Sequence, residues 1–144
     1  MQNLPHHYQV SANANTAGNI VLKSAGIPDL ESAGPAEFDG PGDRWSPETL
    51  LVAAVADCFV LSFRAVARAA HFEWAALTCA VGGTLDKVDR AMQFTRFDVA
   101  ATLTVPPGTD VDKATKLLEK AEHVCLISNS LKAESHFVAS VVVS

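Results

Sequence analysis

Apolar and polar residues recur along this chain with two different periods, and the points where one gives way to the other divide it into elements. The first period-two stretches run from His6 to Asn13 and from Asn19 to Ser24, joined by ANTAGN, whose asparagines and glycine tolerate positive φ. They predict a β-hairpin. GIPDLESAGPAEFDGPGDRW follows, rich in Gly and Pro, and reads as loop with room for one or two short edge strands. The pattern then changes at SPETLLVAAVADCFVLSFRAVARAA, residues 46 to 70, which is apolar over several turns. Ser46 is suited to cap this helix, Pro47 to its first position, where a missing N–H costs nothing, and Glu48 to the dipole-favoured first turn. Asp57, Arg64 and Arg68 fall on one narrow polar stripe, and the rest of the circumference is expected to be buried.

Period two returns in ALTCAVGGTLDKV and FTRFDVAATLTV, two strands joined by a polar turn around Asp89. The second sends Phe97, Val99, Ala101, Leu103 and Val105 to one face. PPGTD breaks the sheet and opens a second helix capped by Thr109 or Asp110, with Val111, Ala114, Leu117, Leu118, Ala121, Val124 and Cys125 on its apolar side. A short helical turn at Ser128 to Lys132 and a last strand, HFVASVVVS, complete the order β-β-(β)-α-β-β-α-β. The predicted fold class is α+β: an antiparallel sheet with two main helices on one side.

Composition adjusts this picture in three ways. The 144 residues suit a single domain spanning 1–144, large enough to bury a core without disulfides. Hydrophobic residues make up 49% and charged residues only 19%, so one chain has too little polar surface to hide everything apolar, and an oligomer is expected. The net charge of -5, with no run of Lys or Arg, argues against nucleic acid as a partner. MQNLPHHYQV lacks the basic and apolar regions of a secretory signal, and the charges in the long helix interrupt it well short of a membrane span. A cytoplasmic protein with no membrane partner is the expectation.

Three cysteines far apart in sequence cannot form a secreted disulfide framework. Cys79 alternates with Leu77 and Val81 in a strand and reads as a small core residue. Cys58 and Cys125 each lie on the apolar side of one of the two long helices, where packing in one layer brings such positions within reach of each other. Burial remains the ordinary explanation of a free cysteine, and spacing does not decide between packing and reactivity.

SPETLLVAAVADCF, with a carboxylate ten residues before a helical cysteine, is followed by AEHVCLISNSL around the second cysteine. Together, and in the order of the surrounding strands, they resemble the OsmC/Ohr family of thiol-dependent peroxidases over nearly the whole chain. The resemblance implies an intertwined homodimer with active sites at the subunit interface. It implies Cys58 as the attacking thiolate, Cys125 as the resolving thiol and Glu48 as a site carboxylate, with an organic hydroperoxide as substrate and a dithiol as reductant. It implies no cofactor. A zinc site built from His123, Cys58 and Cys125 lacks support, because His123 and Cys125 at i and i+2 point nearly opposite ways on a helix.

Helix geometry adds a constraint of its own. Ten residues of helical rise set Glu48 and Cys58 roughly 15 Å apart, so one chain cannot bring them together, and if both serve one site, as the resemblance implies, two chains must build it. Cys58 also lies about three turns from its helix N-terminus, beyond the reach of the macrodipole, so a cation is needed to hold a thiolate. Peroxidases of the family use an arginine in the first hairpin, and ANTAGN has none. Arg44, four residues before Glu48, is the candidate that would travel with Glu48 to a second copy's Cys58. Leu126 stands where a proline often follows the second cysteine, which leaves open where the short helix starts. Two alternatives to turnover stay open: a redox sensor or binder of small apolar ligands on the same fold, and a structural domain with two inert thiols.

Overall fold

The computed structural model describes residues Met1 to Ser144, which divide into two compact units, Met1–Leu50 and Leu51–Ser144. In the first unit, β1 (Ser11–Asn13), β2 (Ile20–Lys23) and β3 (Leu30–Ser32) form an antiparallel sheet in that order. The first strand is much shorter than the alternation predicts. Period two makes a strand only where a partner edge is available, and before Ser11 the single link to β2's end is the Ser24 hydroxyl donating to the Gln9 carbonyl at 2.9 Å. The loop after β3 contains a 3₁₀ turn, Ala36–Phe38, and closes where Ala33 N–H donates to the Trp45 carbonyl at 2.9 Å. Gly40 is obligatory there, because a Cβ would overlap the Gly34 carbonyl.

Helix α1 (Pro47–Ala69) starts where the caps predict. The Ser46 hydroxyl accepts from Thr49 N–H at 3.1 Å, and Thr49 Oγ1 accepts in return from Ser46 N–H at 2.8 Å, so two otherwise unpaired donors are satisfied reciprocally. The helix ends at His71, whose φ of 50° is left-handed, with Phe72 N–H reaching back to the Ala67 carbonyl at 2.9 Å.

The second unit holds β4 (Ala76–Val88), β5 (Ala91–Val105), α2 (Val111–Val124), the short α3 (Leu126–Asn129) and β6 (Glu134–Val143). β4 and β5 make the predicted hairpin, turning through Asp89 and Arg90, both at positive φ. β6 departs from the expected all-antiparallel sheet, pairing parallel to β5 from Arg96↔Glu134 to Val105↔Val143. The reason is the connection: α2 and α3 carry the chain back across the sheet, and such a crossover delivers a strand in the same direction.

The alternation in β5 translates directly into a core. Phe97, Val99, Ala101, Leu103 and Val105 are all at most 1% exposed. Over this face pack Phe59, Phe63, Val66 and Ala67 of α1 and Ala114, Leu118 and Ala121 of α2, so both long helices cover the same side. Phe59 stacks obliquely on Phe137 and Phe63 meets Trp74 edge-on, each with centroids 5.4 Å apart. Phe59 and Phe63 are thus sealed core residues.

Two expectations about the helices need correction. Only five side chains of α1 are buried, Val55, Phe59, Phe63, Val66 and Ala67, and Leu61 is 54% exposed; a single chain covers one stripe of this helix and leaves the rest open. Cys125 lies outside α2: its ψ of 106° is extended, and it forms the joint between α2 and α3, which begins at Leu126 rather than Ser128.

Candidate thiol site

The site is built by the middle of α1 and the α2–α3 joint. Cys58 lies one residue before the buried Phe59, at the border of the stripe that faces the sheet, and its side chain is partly open. Cys125 is 0% exposed, held where α2 stops. The two thiols are free and neighbour each other, closely enough for Cys58 to act on the Cys125 thiol.

Their surroundings differ. Burial pushes the Cys125 thiol up from its ordinary value; the Ser128 hydroxyl and N–H pull it part of the way back, and the neighbouring Cys58 pushes it up again. The Ser128 hydroxyl is buried three residues past Cys125 and has no hydrogen-bond partner, so it acts on that thiol by proximity. On the other side, the Ser62 hydroxyl approaches the Cys58 sulfur at 4.0 Å, one helical turn further along α1. Cys79 projects from β4 onto the inner face, opposite Ala101, and packs against both parts of the core. Burial, then the charges of Glu122 and Cys125, push its thiol up to about 11, so it stays protonated and unreactive at neutral pH.

Of the four residues predicted for the site, the structure brings Cys58 and Cys125 together. Glu48 occupies the first turn of α1, with Oε2 buried and unpaired. Arg44 forms ion pairs with Glu31 and Asp43, each at 3.3 Å. His123 is on the exposed side of α2, its carbonyl accepting from Asn129 Nδ2 at 3.2 Å. The sequence reading missed Ser62 and Ser128. Their spacings from the cysteines, four residues on a helix and three residues across a joint, were the available signals.

The fold that carries this thiol pair, two long helices over a three-stranded sheet, is found in known proteins. Residues 40–139 match the family described as OsmC-like protein. The chain belongs to that family. This OsmC-like protein is 25% identical over 138 residues to the uncharacterized protein YmaD of Bacillus subtilis, an alignment covering 88% of this chain and 87% of YmaD. It is 32% identical over 89 residues to the peroxiredoxin OsmC of Escherichia coli, covering 62% of each. Among solved structures, the organic hydroperoxide resistance protein OsmC of Legionella pneumophila shares its fold, with a TM-score of 0.75, 23% identity and coverage of 96% of this chain and 98% of that one. The family also clarifies α1. Its length and apolarity would satisfy a membrane span, yet here Phe59 and Phe63 seat it in the core and Asp57, Arg64 and Arg68 lie along it.

Proposed function

We propose that this OsmC-like protein is a cytoplasmic thiol peroxidase that reduces organic hydroperoxides. The observation that carries the reading is the asymmetry of the thiol pair: Cys58 is partly open to an incoming molecule, while the neighbouring Cys125 is sealed. The Cys58 thiolate attacks the outer oxygen of the hydroperoxide, the O–O bond breaks, and the alkoxide leaves to collect a proton as an alcohol. The sulfenic acid left on Cys58 condenses with the Cys125 thiol, forming the disulfide and releasing water. A dithiol returns both cysteines to the reduced state. The open apolar Leu61, one helical turn from Cys58, favours an alkyl substituent on the peroxide over hydrogen peroxide.

In this reading the working unit is a homodimer. The uncovered apolar side of α1 supports it, because such a stripe is stable in water only when another surface covers it. A second copy would bring Glu48 and Arg44 to Cys58, and the unpaired, buried Glu48 oxygen and the Arg44 guanidinium are suited to that exchange of partners. Arg44→Ala is expected to slow oxidation of Cys58 by cumene hydroperoxide about tenfold; an unchanged rate would remove Arg44 from the site.

A second reading is favoured by a specific observation. The first hairpin carries no arginine, and Arg44 is already engaged by two carboxylates in its own chain. A redox sensor that forms the disulfide without rapid turnover needs less activation of Cys58. Peroxide consumption with excess dithiothreitol separates the two: sustained consumption belongs to the peroxidase, a single stoichiometric oxidation to the sensor.

A further inference from the structure

Three thiols and the polar groups around them form the chemically richest part of the second unit, and one member of that group has no assigned part. Ser62 sits in the middle of α1 and is partly buried. A serine in a helix interior commonly turns its hydroxyl back onto the carbonyl four residues before it. Thr115 does this in α2, donating to the Val111 carbonyl at 3.0 Å, and Ser130 donates to the Leu126 carbonyl at 2.7 Å. Ser62 does not. Its one partner is the Cys58 sulfur at 4.0 Å, the outer limit of a hydrogen bond to a neutral thiol, which a charged sulfur would shorten.

Resting on the peroxidase reading, we propose that the Ser62 hydroxyl is a hydrogen-bond donor to the Cys58 thiolate. It supplies the attacking sulfur with a donor from its own helix, one turn away. Donation to the charged form favours that form, and a donor already fixed by the helix needs no reorganisation when the charge develops. When the sulfur becomes a sulfenic acid, the hydroxyl can turn to accept, so Ser62 assists the first step and does not hinder closure of the disulfide.

The test compares wild type with Ser62→Ala and Ser62→Thr. Alanine is the strongest helix former, so the fold is kept, and threonine retains the hydroxyl. Two rates are read for Cys58, peptide by peptide in a mass spectrometer: alkylation by iodoacetamide across pH 6 to 10, and oxidation by cumene hydroperoxide. The expected result is that Ser62→Ala slows both about fivefold at pH 7 and moves the alkylation midpoint upward, while Ser62→Thr stays close to wild type. Equal alkylation rates in wild type and Ser62→Ala would overturn the proposal, even if peroxide oxidation slowed. A wild type that resists cumene hydroperoxide but still shows Ser62-dependent alkylation would support the hydrogen bond and refute the peroxidase reading, so the two failures are distinguishable.

Discussion

The two long helices rest on the same sheet face but are finished differently. α2 is a conventional surface helix: Ala114, Leu118 and Ala121 are buried and the opposite side carries charge. α1 has an apolar composition nearly all round, yet its buried residues in one chain make up a single stripe, and Leu61 stands open on another side. The thiols follow this difference. Cys125, at the end of the self-sufficient helix, is sealed; Cys58, on the helix that one chain leaves partly uncovered, is accessible. The partly open thiol and the open apolar Leu61 lie on the same helix, one turn apart.

The largest effect that can break this comparison is on chemistry. Cys58→Ser is expected to abolish oxidation by cumene hydroperoxide, whereas Cys125→Ser leaves the first step and halts with one added oxygen on Cys58, seen by intact-mass spectrometry. Equal losses from both substitutions would erase the division between attacking and resolving thiols. Next comes packing. Leu118→Ala on α2 should cost about 2–5 kcal/mol in urea unfolding, since the side chain is fully buried. Leu61→Asp on α1 should instead turn a dimer into monomers in sedimentation, with much less effect on the fold of each chain. If Leu61→Asp left the association state unchanged, the open stripe would need another explanation.

How much of this was legible beforehand varies by region. The β5 core face could be read residue by residue, because a strand buried on one side permits only one register. Ser46 as the cap of α1 is equally plain, whereas the α2 cap reads as Thr109 or Asp110; the structure gives Ser46 and Asp110, the latter accepting from Lys113 N–H at 3.1 Å. The parallel pairing of β6 was not apparent, since alternation specifies faces and not partners. The place of Cys125 was misread because the apolar spacing of α2 continues through Val124 and Cys125 while the backbone has already turned extended at Cys125. For the candidate site, the family motifs single out Cys58, Cys125 and Glu48; the two cysteines neighbour each other in the structure, while Glu48 lies in the first turn of α1. Ser62 and Ser128 were passed over because a serine in an apolar helix or after a cysteine has many ordinary uses, and only the absence of a back-bond singles Ser62 out.

A smaller prediction sharpens the α2 side. Glu122, in the last turn, has a buried and unpaired Oε2, and burial raises its carboxyl above the usual carboxylate value. A raised value in the folded state means that the folded protein holds this proton more tightly than the unfolded chain does. The stability it contributes is therefore complete below the unfolded value and lost as pH rises through the folded one. Where the group is ionised in the folded protein it is a burden, so Glu122→Gln should raise the melting temperature by about 1–2 °C on the alkaline side of the folded value and lose that advantage on the acid side of the unfolded one. A destabilised Glu122→Gln on the alkaline side would mean that the carboxylate has a partner in the assembled protein.

The most direct test of the central claim is the mass of the reduced protein after one equivalent of cumene hydroperoxide, followed by peptide mapping. The account predicts loss of two hydrogens and a peptide linking Cys58 to Cys125, with Cys79 still free. An unchanged mass, or a disulfide that includes Cys79, would contradict it.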